Sequence, residues 1–377
     1  MKILLFGGTF DPVHNEHVKL VKGGIKELSP DKIVVIPSFI PPHKSEASAS
    51  PEDRLNMARL AFSFDERIEI DDLEIKRGGQ SYTYLTVTYF REKYPDAEIF
   101  FLIGGDSFFD FDKWVHPEII TDKCKIVVVS RGEFTEKLIT RNAEFEKTYG
   151  YKAKILSFNG DITSSTYIRY CLMLGVGAEN IPESVGEYIE EKGLYKGDGY
   201  FEYLRAHLKE KRLYHTAGVI EYGLLINKQL KLDSAKVVLA CALHDVAKYL
   251  KEEDFKGFHR PENMPDSVVH AFLGEYVAKN VLGVNDGEVL SAIRYHTTGR
   301  ANMSPLEKLV YTADLLERNR SYPGVTKLRK CVEEDFEKGF VECICQGYKH
   351  LKQSMISSEV YYLTKESYDY YKSERDK

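Results

Sequence analysis

The residues best suited to chemistry fall into two groups, one in each half of the chain. The first group is the string Gly7-Gly8-Thr9-Phe10, which follows a short apolar run and leads to His14 and His17. Paired glycines let a backbone turn tightly against a phosphate, and a helix that begins here points its positive end at the same place. Histidines three residues apart share one helix face, so both can reach one anion. The string therefore predicts a nucleotide phosphate site.

A second anion site is indicated further along the same half. Ser164 and Thr166 stand where a helix is predicted to begin, and Arg169 lies one turn later. Free N–H groups, hydroxyls and a guanidinium that face one way bind phosphate. A well-capped surface helix would explain Ser164 alone, but it explains the three residues together less easily.

The second group consists of histidines and aspartates that stand in apolar helical stretches of the other half. Buried imidazoles and carboxylates are costly unless they are paired or bind a metal. Any one of these histidines could be an ordinary core residue, but the ordered set predicts a metal centre. The candidate ligands are His215, His244, Asp245, His270, His296 and Asp314.

Alternating strands and helices must position the first group. Four β-branched or aromatic runs read as buried strands, with helical periodicity at 17–28, 51–63, 82–93 and 134–147 between them. The predicted fold class is α/β, a doubly wound parallel sheet whose ligands sit beyond the carboxyl ends of the strands. The predicted strands are Ile3–Phe6, Ile33–Ile36, Ile99–Ile103 and Ile126–Val129.

From about residue 198 the strand-like runs stop, and an all-α bundle is predicted to hold the second group. We expect one domain over 1–195 and another over 198–377, joined by the glycine-containing run 193–199. The predicted helices are 200–211, 213–230, 233–250, 266–281, 286–296, 304–318 and 327–352.

Composition excludes several classes of protein. The 377 residues are 43% hydrophobic and carry a net charge of −6, so the chain can bury a core and is not a basic nucleic-acid binder. No apolar run is long enough for a membrane span. Six scattered cysteines are typical of reduced thiols in a cytoplasmic protein. The sequence leaves a homo-oligomer open.

The glycine and histidine string resembles the signature of the nucleotidyltransferase superfamily that contains nicotinate-nucleotide adenylyltransferases. Later segments resemble that subfamily too: a Pro-Pro-His-Lys loop within 37–44, the run Arg77–Thr83, a Gly-Asp turn ending at Asp106, and Ile162–Arg169. The resemblance spans residues 1 to about 195. It implies a Rossmann-like fold that transfers an adenylyl group from ATP, with Mg²⁺, to nicotinate mononucleotide. The products would be nicotinate adenine dinucleotide and pyrophosphate.

Residue roles follow from that resemblance. It implies catalytic roles for His14, His17 and Lys44. ATP would be bound by Gly7, Gly8, Thr9, Phe10, His14, His17, Ser164, Thr166 and Arg169, and the mononucleotide by His43, Lys44, Thr83, Asp106, Trp114 and Arg131. Trp114 could instead be a core residue, since it is the only tryptophan. Glu16 stands where the family has glycine, and we expect its carboxylate to point outward into solvent, or the helix start to be slightly rotated.

The order of histidines and aspartates resembles the HD-domain metal phosphohydrolases. The strings around His215, His244-Asp245 and His296 look most like bacterial enzymes that cut diadenosine tetraphosphate symmetrically to two ADP. The resemblance implies one metal on His215, His244, Asp245 and Asp314, and a second on His270 and His296, bridged by Asp245. It favours iron, with manganese as the other choice. Lys248 would be catalytic and Arg300 would bind substrate, although both could be solvated helix charges.

Three alternatives stay open at this stage. The helical half could be a nucleotide-sensing regulatory module, or a phosphatase of another nucleotide. The first half could take another substrate such as phosphopantetheine, although Arg77–Thr83 and Trp114 argue against it.

Overall fold

The computed structural model describes residues 1–40, 48–129, 135–156, 163–354 and 360–375. The chain divides into two compact units. The first contains residues 1–169 and 177–195, and the second contains 170–176 and 196–377. Among the described residues, none of the helices is long and apolar enough to cross a membrane.

A six-stranded parallel sheet forms the centre of the first unit, in the order β3-β2-β1-β4-β5-β6. The four predicted strands are confirmed, and β3 and β6 were missed because each has only three residues, too few to show a pattern. The strand order reverses between β1 and β4, where ligands of such sheets bind. The strands are β1 Lys2–Gly8, β2 Lys32–Pro37, β3 Ile68–Ile70, β4 Glu98–Gly104, β5 Lys125–Val129 and β6 Lys154–Leu156.

Helices cover both faces of this sheet. The helix that contains Gly24 lies very close to the sheet, because a Cβ at Gly24 would lie 2.7 Å from the side chain of Leu4 in β1. Helix α8 belongs partly to each unit. The helices are α1 Asn15–Leu28, α2 Pro51–Ala61, α3 Leu73–Arg77, α4 Thr83–Lys93, α5 Gly105–Phe109, α6 Pro117–Lys123, α7 Thr135–Tyr149, α8 Ser165–Met173 and α9 Glu183–Lys192.

The rest of the second unit is helical, as predicted, but two predicted helices are wrong in extent. The helix expected over 233–250 ends at Leu243, and the next six residues form turns. The helix expected over 327–352 is two helices, because Asp335 has an extended backbone. The helices are α10 Gly199–His207, α11 Glu210–Leu230, α12 Ser234–Leu243, α13 Asp266–Asn280, α14 Gly287–Tyr295, α15 Pro305–Leu316, α16 Val325–Glu334, α17 Phe336–Ser354 and α18 Tyr362–Arg375.

Candidate active sites

The predicted phosphate turn joins β1 to α1 at the switch point of the sheet. The rings of His14 and His17 are stacked, with centroids 3.6 Å apart. The backbone N–H of His14 donates to Nδ1 of His17 at 3.2 Å. Because Nδ1 accepts this bond, a neutral His17 carries its proton on Nε2. The His17 side chain is therefore prepared to donate a hydrogen bond to an anion.

A buried arginine fixes the backbone of this turn. Arg54 in α2 is fully buried, and its guanidinium donates to the carbonyl oxygens of Thr9 at 2.8 Å and Phe39 at 2.9 Å. A planar trans peptide points its N–H opposite to its C=O, so the N–H of Phe10 faces away from Arg54. A Cβ at Gly8 would lie 2.8 Å from the Phe10 ring, so the turn needs glycine there.

The start of α8 packs against the same turn. Arg169 donates to the backbone oxygen of Asp11 at 2.6 Å and to Thr166 Oγ1 at 3.2 Å. Ser164 accepts from the backbone N–H of Tyr167 at 3.0 Å, as a helix cap does. The two predicted phosphate motifs therefore lie together.

The expectation for Glu16 is corrected in one respect. Its side chain is buried rather than solvated, and Oε1 lies 2.5 Å from Nζ of Lys19 one turn later in α1. This pair offsets the carboxylate charge near the phosphate turn, so the repulsion expected from the sequence is reduced.

A cavity of about 300 Å³ opens beyond the carboxyl end of β4. It brings together three of the predicted substrate residues, namely Thr83, Asp106 and Trp114. The Trp114 ring packs against Phe111 and Phe101, with centroids 5.3 Å and 6.4 Å away, and it also lines the cavity. Predicted residues His43, Lys44 and Arg131 lie outside the described residues.

The second unit brings all six predicted metal ligands together. His215, His244 and Asp245 each offer an atom within 4.8 Å of the others. His215 Nε2 lies 3.2 Å from His244 Nε2 and 3.0 Å from Oδ1 of Asp314. These four residues are the set that the resemblance to HD-domain enzymes implies for one metal.

A second group shares Asp245 with the first. His270 Nε2 lies 3.2 Å from Asp245 Oδ1, and His296 Nε2 lies 3.6 Å from the same oxygen. His244 and His215 face the other oxygen, Oδ2, at 3.3 Å and 3.8 Å. One carboxylate therefore faces two groups of imidazoles, one with each oxygen.

Three of the imidazoles are oriented through their other nitrogen. His244 Nδ1 lies 2.7 Å from the Cys241 carbonyl, and His296 Nδ1 lies 2.7 Å from the Ile293 carbonyl. His215 Nδ1 lies 3.1 Å from Oε1 of Glu317, a buried residue that the sequence analysis missed. Such contacts fix the tautomer and turn Nε2 toward the centre.

The protonation states suit a metal centre. Burial lowers the pKa of His270 to about 4, which leaves a neutral imidazole at neutral pH. Although burial alone would raise the pKa of Asp245, its histidine neighbours hold it well below the ordinary value. Imidazoles together with ionised carboxylates, without a thiolate, form a donor set that fits a first-row divalent metal.

We expect replacement of Glu317 by Ala to weaken divalent metal binding by about 10- to 100-fold, because His215 loses the group that orients it. Titration of the full chain with Mn²⁺ measures this affinity, and Glu317→Gln, which keeps an acceptor oxygen, should recover part of it. Glu221→Gln is the matched control, since Glu221 lies on α11 with His215 but pairs with Arg318. Equal Mn²⁺ affinity for all three variants would remove Glu317 from the site.

Three cations surround this centre. Arg212 lies 2.6 Å from Asp245 Oδ2, Arg320 lies 2.6 Å from Asp314 Oδ1, and Lys248 Nζ lies 3.0 Å from His270 Nε2. Arg212 and Arg320 also line a cavity of about 860 Å³ that reaches His215. By contrast, Nε and Nη2 of Arg300 contact the two oxygens of the buried carboxylate of Glu307. The proposed role of Arg300 at substrate remains a prediction.

Comparisons with known proteins match two separate parts of the chain. The cytidylyltransferase-like family model matches residues 5–170, and the HD domain model matches residues 212–319. A Mycoplasma genitalium protein named probable nicotinate-nucleotide adenylyltransferase/Ap4A hydrolase is 32% identical over 324 residues, covering 85% of this chain and 88% of the relative. The chain belongs to this two-domain family.

Another member of the adenylyltransferase/Ap4A hydrolase family, from Mycoplasma pneumoniae, is 27% identical and covers 89% of this chain and 96% of its own. A solved structure from Clostridium acetobutylicum, described as a predicted HD superfamily hydrolase involved in NAD metabolism, is 32% identical. It covers 47% of this chain and 97% of its own, with a TM-score of 0.42. The family membership expected from the motifs is confirmed, and an HD domain implies binding of divalent metal.

Proposed function

We propose that the first unit transfers the adenylyl group of ATP to nicotinate mononucleotide. The observation that carries this proposal is the meeting of the Gly8 turn, the paired histidines and the Arg169 motif at the switch point between β1 and β4. Relatives named for this activity, together with the cavity at Trp114, support the mononucleotide over phosphopantetheine. We assign Mg²⁺ to the triphosphate of ATP.

The chemistry needs positioning and charge neutralisation rather than a covalent intermediate. A phosphate oxygen of the mononucleotide attacks the α-phosphorus of ATP, the bond to the bridging oxygen of the β-phosphate breaks, and pyrophosphate leaves. His17 Nε2–H and the N–H of Phe10 donate to phosphate oxygens. Lys44, by its family role, adds a positive charge. These groups stabilise charge that develops in the transition state.

We expect Trp114→Ala to raise the KM for nicotinate mononucleotide about tenfold, because the pyridine ring loses its stacking partner. The KM for ATP should change little, since Trp114 lies in the cavity beyond β4 and not at the phosphate turn. Initial rates with each substrate varied in turn measure both constants. Tyr89→Ala removes a partly exposed aromatic from α4 outside this cavity and serves as control. Equal rises in both constants would make Trp114 a structural residue.

We propose that the second unit is a metal phosphohydrolase that cuts diadenosine tetraphosphate symmetrically to two ADP. The observation that carries this proposal is the pair of ligand groups that share Asp245. Mixed imidazole and carboxylate ligands suit iron or manganese, and we propose iron. Two such cations, held by these residues, would supply Lewis acidity toward phosphoryl oxygens and would lower the pKa of bound water. Arg212, Arg320 and Lys248 stand where they can neutralise the polyphosphate chain.

The test for the hydrolase is full-length protein loaded with Fe²⁺ or Mn²⁺ and given diadenosine tetraphosphate. ADP as the only nucleotide product is the expected result. Tight binding without ADP, with either metal, would support the regulatory module instead. Faster release of phosphate from another nucleotide in the same assay would support a phosphatase of that nucleotide.

A further inference from the structure

Tyr195 lies in the run 193–199 that the sequence predicts as a linker, yet its side chain is buried. Its hydroxyl donates to Oδ1 of Asp11 at 2.7 Å. Asp11 belongs to the loop between the Gly8 turn and His14, and Tyr195 lies at the end of the first unit. A residue 184 positions away in the sequence therefore contacts the loop that holds the ATP phosphates in the proposed function.

The carboxylate of Asp11 is a meeting point of several segments. Its oxygens accept from the backbone N–H groups of Ser48 at 2.8 Å and Ala49 at 3.0 Å. Its Oδ2 lies 3.4 Å from Nη1 of Arg169. The carboxylate thus ties the phosphate loop to the segment before α2, to α8 and to Tyr195. A buried carboxylate is stable only when donors such as these surround it.

The backbone conformation of Tyr195 also indicates that the surrounding structure holds this residue in place. Its φ is 54°, in the left-handed region, which residues with a Cβ seldom adopt. Such conformations persist where the surrounding structure holds them. Burial and the charge of Asp11 raise the pKa of Tyr195 well above the ordinary value, so the hydroxyl remains a donor throughout the working pH range.

We propose that Tyr195 is a positioning residue for ATP. It acts on the phosphate loop through its hydrogen bond to Asp11. It touches no substrate in this scheme. Its hydroxyl supplies one of the donors that keep Asp11, and with it the Gly8 turn and the Arg169 contact, in the arrangement that faces the triphosphate. The proposal rests on the proposed adenylyl transfer and adds a residue to it.

The first test is Tyr195→Phe in the full chain, which keeps the ring and removes only the hydroxyl. We expect the KM for ATP to rise about tenfold, while kcat and the KM for the mononucleotide stay within about twofold. A variant that had only lost stability would show a lower kcat, through a smaller active fraction, with an unchanged KM for ATP. That pattern, or no change at all, would overturn the proposal.

The matched control is Tyr188→Phe. Tyr188 lies seven residues earlier, in α9, and its hydroxyl donates to Asp53 Oδ1 at 2.9 Å rather than to a residue of the phosphate loop. We expect its kinetic constants to equal those of the unchanged chain. A rise in the KM for ATP as large as that of Tyr195→Phe would show that any lost tyrosine hydroxyl in this region has the effect, and would overturn the specific role.

A second measurement separates this proposal from the proposed reaction. Calorimetric titration with an ATP analogue that has a methylene group between the α- and β-phosphorus atoms reports binding without transfer. Weaker binding of this analogue by Tyr195→Phe supports the positioning role. If the unchanged chain makes no dinucleotide, that result refutes only the proposed reaction, and the binding result still stands. Combining the change with Asp11→Ala should add little further loss, because both act at one contact. Additive losses would overturn the route through Asp11.

Discussion

Asp245→Asn is expected to remove both metals from the second unit and to lower diadenosine tetraphosphate hydrolysis by at least about a thousandfold. Its two oxygens face different groups of imidazoles, with His270 3.2 Å from Oδ1 and His244 3.3 Å from Oδ2. An amide keeps the shape but offers one neutral oxygen and an N–H₂ group, so both groups lose the charged ligand that they share. Metal analysis of the purified full chain and ADP formation measure the two effects.

Synthesis of nicotinate adenine dinucleotide by the same variant should be unchanged, and it serves as an internal test that the chain folds. Asp233→Asn is the matched control, since Asp233 caps α12, the helix that leads to Asp245, without facing the metal ligands. Retention of two metals per chain by Asp245→Asn would refute the shared ligand. Loss of one metal only would assign Asp245 to a single group.

The sequence predicted all six residues of this centre because polar residues in apolar helical stretches are conspicuous. It missed Glu317, which looks like any charged residue at a helix end until His215 is seen beside it. The backbone carbonyls that contact His244 and His296 could not be predicted either, because every residue has a carbonyl group and the residue type does not show which one is used. Ligand types could therefore be predicted, whereas the contacts that orient them depend on the folded helices.

The fold was predictable to the extent that each element has a pattern. Four strands of the sheet are continuous apolar runs, whereas β3 and β6 are three residues long and show none. The predicted helix over 327–352 looked continuous, but Gly339 comes so close to α16 that a Cβ would lie 2.5 Å from the backbone of Val332. This packing favours a break at Asp335. The hydrophobic periodicity of a single helix does not predict how closely it packs against another helix.

The phosphate turn shows a different limit. Its glycines and histidines were predicted from local spacing, yet its shape depends on Arg54, which is far along the chain and fully buried. Glu16 seemed unfavourable because its pairing with Lys19 and its burial could not be read from the sequence. Charges whose partners are fixed only by folding are the residues that sequence reasoning misjudged.

His17→Ala is expected to lower kcat/KM for adenylyl transfer by about a hundredfold or more, the size of effect seen when one donor to a developing charge is removed. The stacking on His14 and the hydrogen bond from the His14 N–H to Nδ1 hold the His17 ring so that Nε2–H is the donor that remains. Alanine removes this donor and leaves space that water can fill. Dinucleotide formation at saturating and limiting ATP measures the loss.

The same variant separates the two activities. Hydrolysis of diadenosine tetraphosphate should remain at the level of the unchanged chain, because every candidate metal ligand lies in the second unit, as does the large cavity beside His215. His116→Ala is the matched control, since His116 is exposed and pairs with Glu118 at 3.1 Å. Loss of both activities in His17→Ala would show that the units do not act as separate catalysts. Combined with the opposite pattern in Asp245→Asn, an unchanged hydrolase would assign one reaction to each unit.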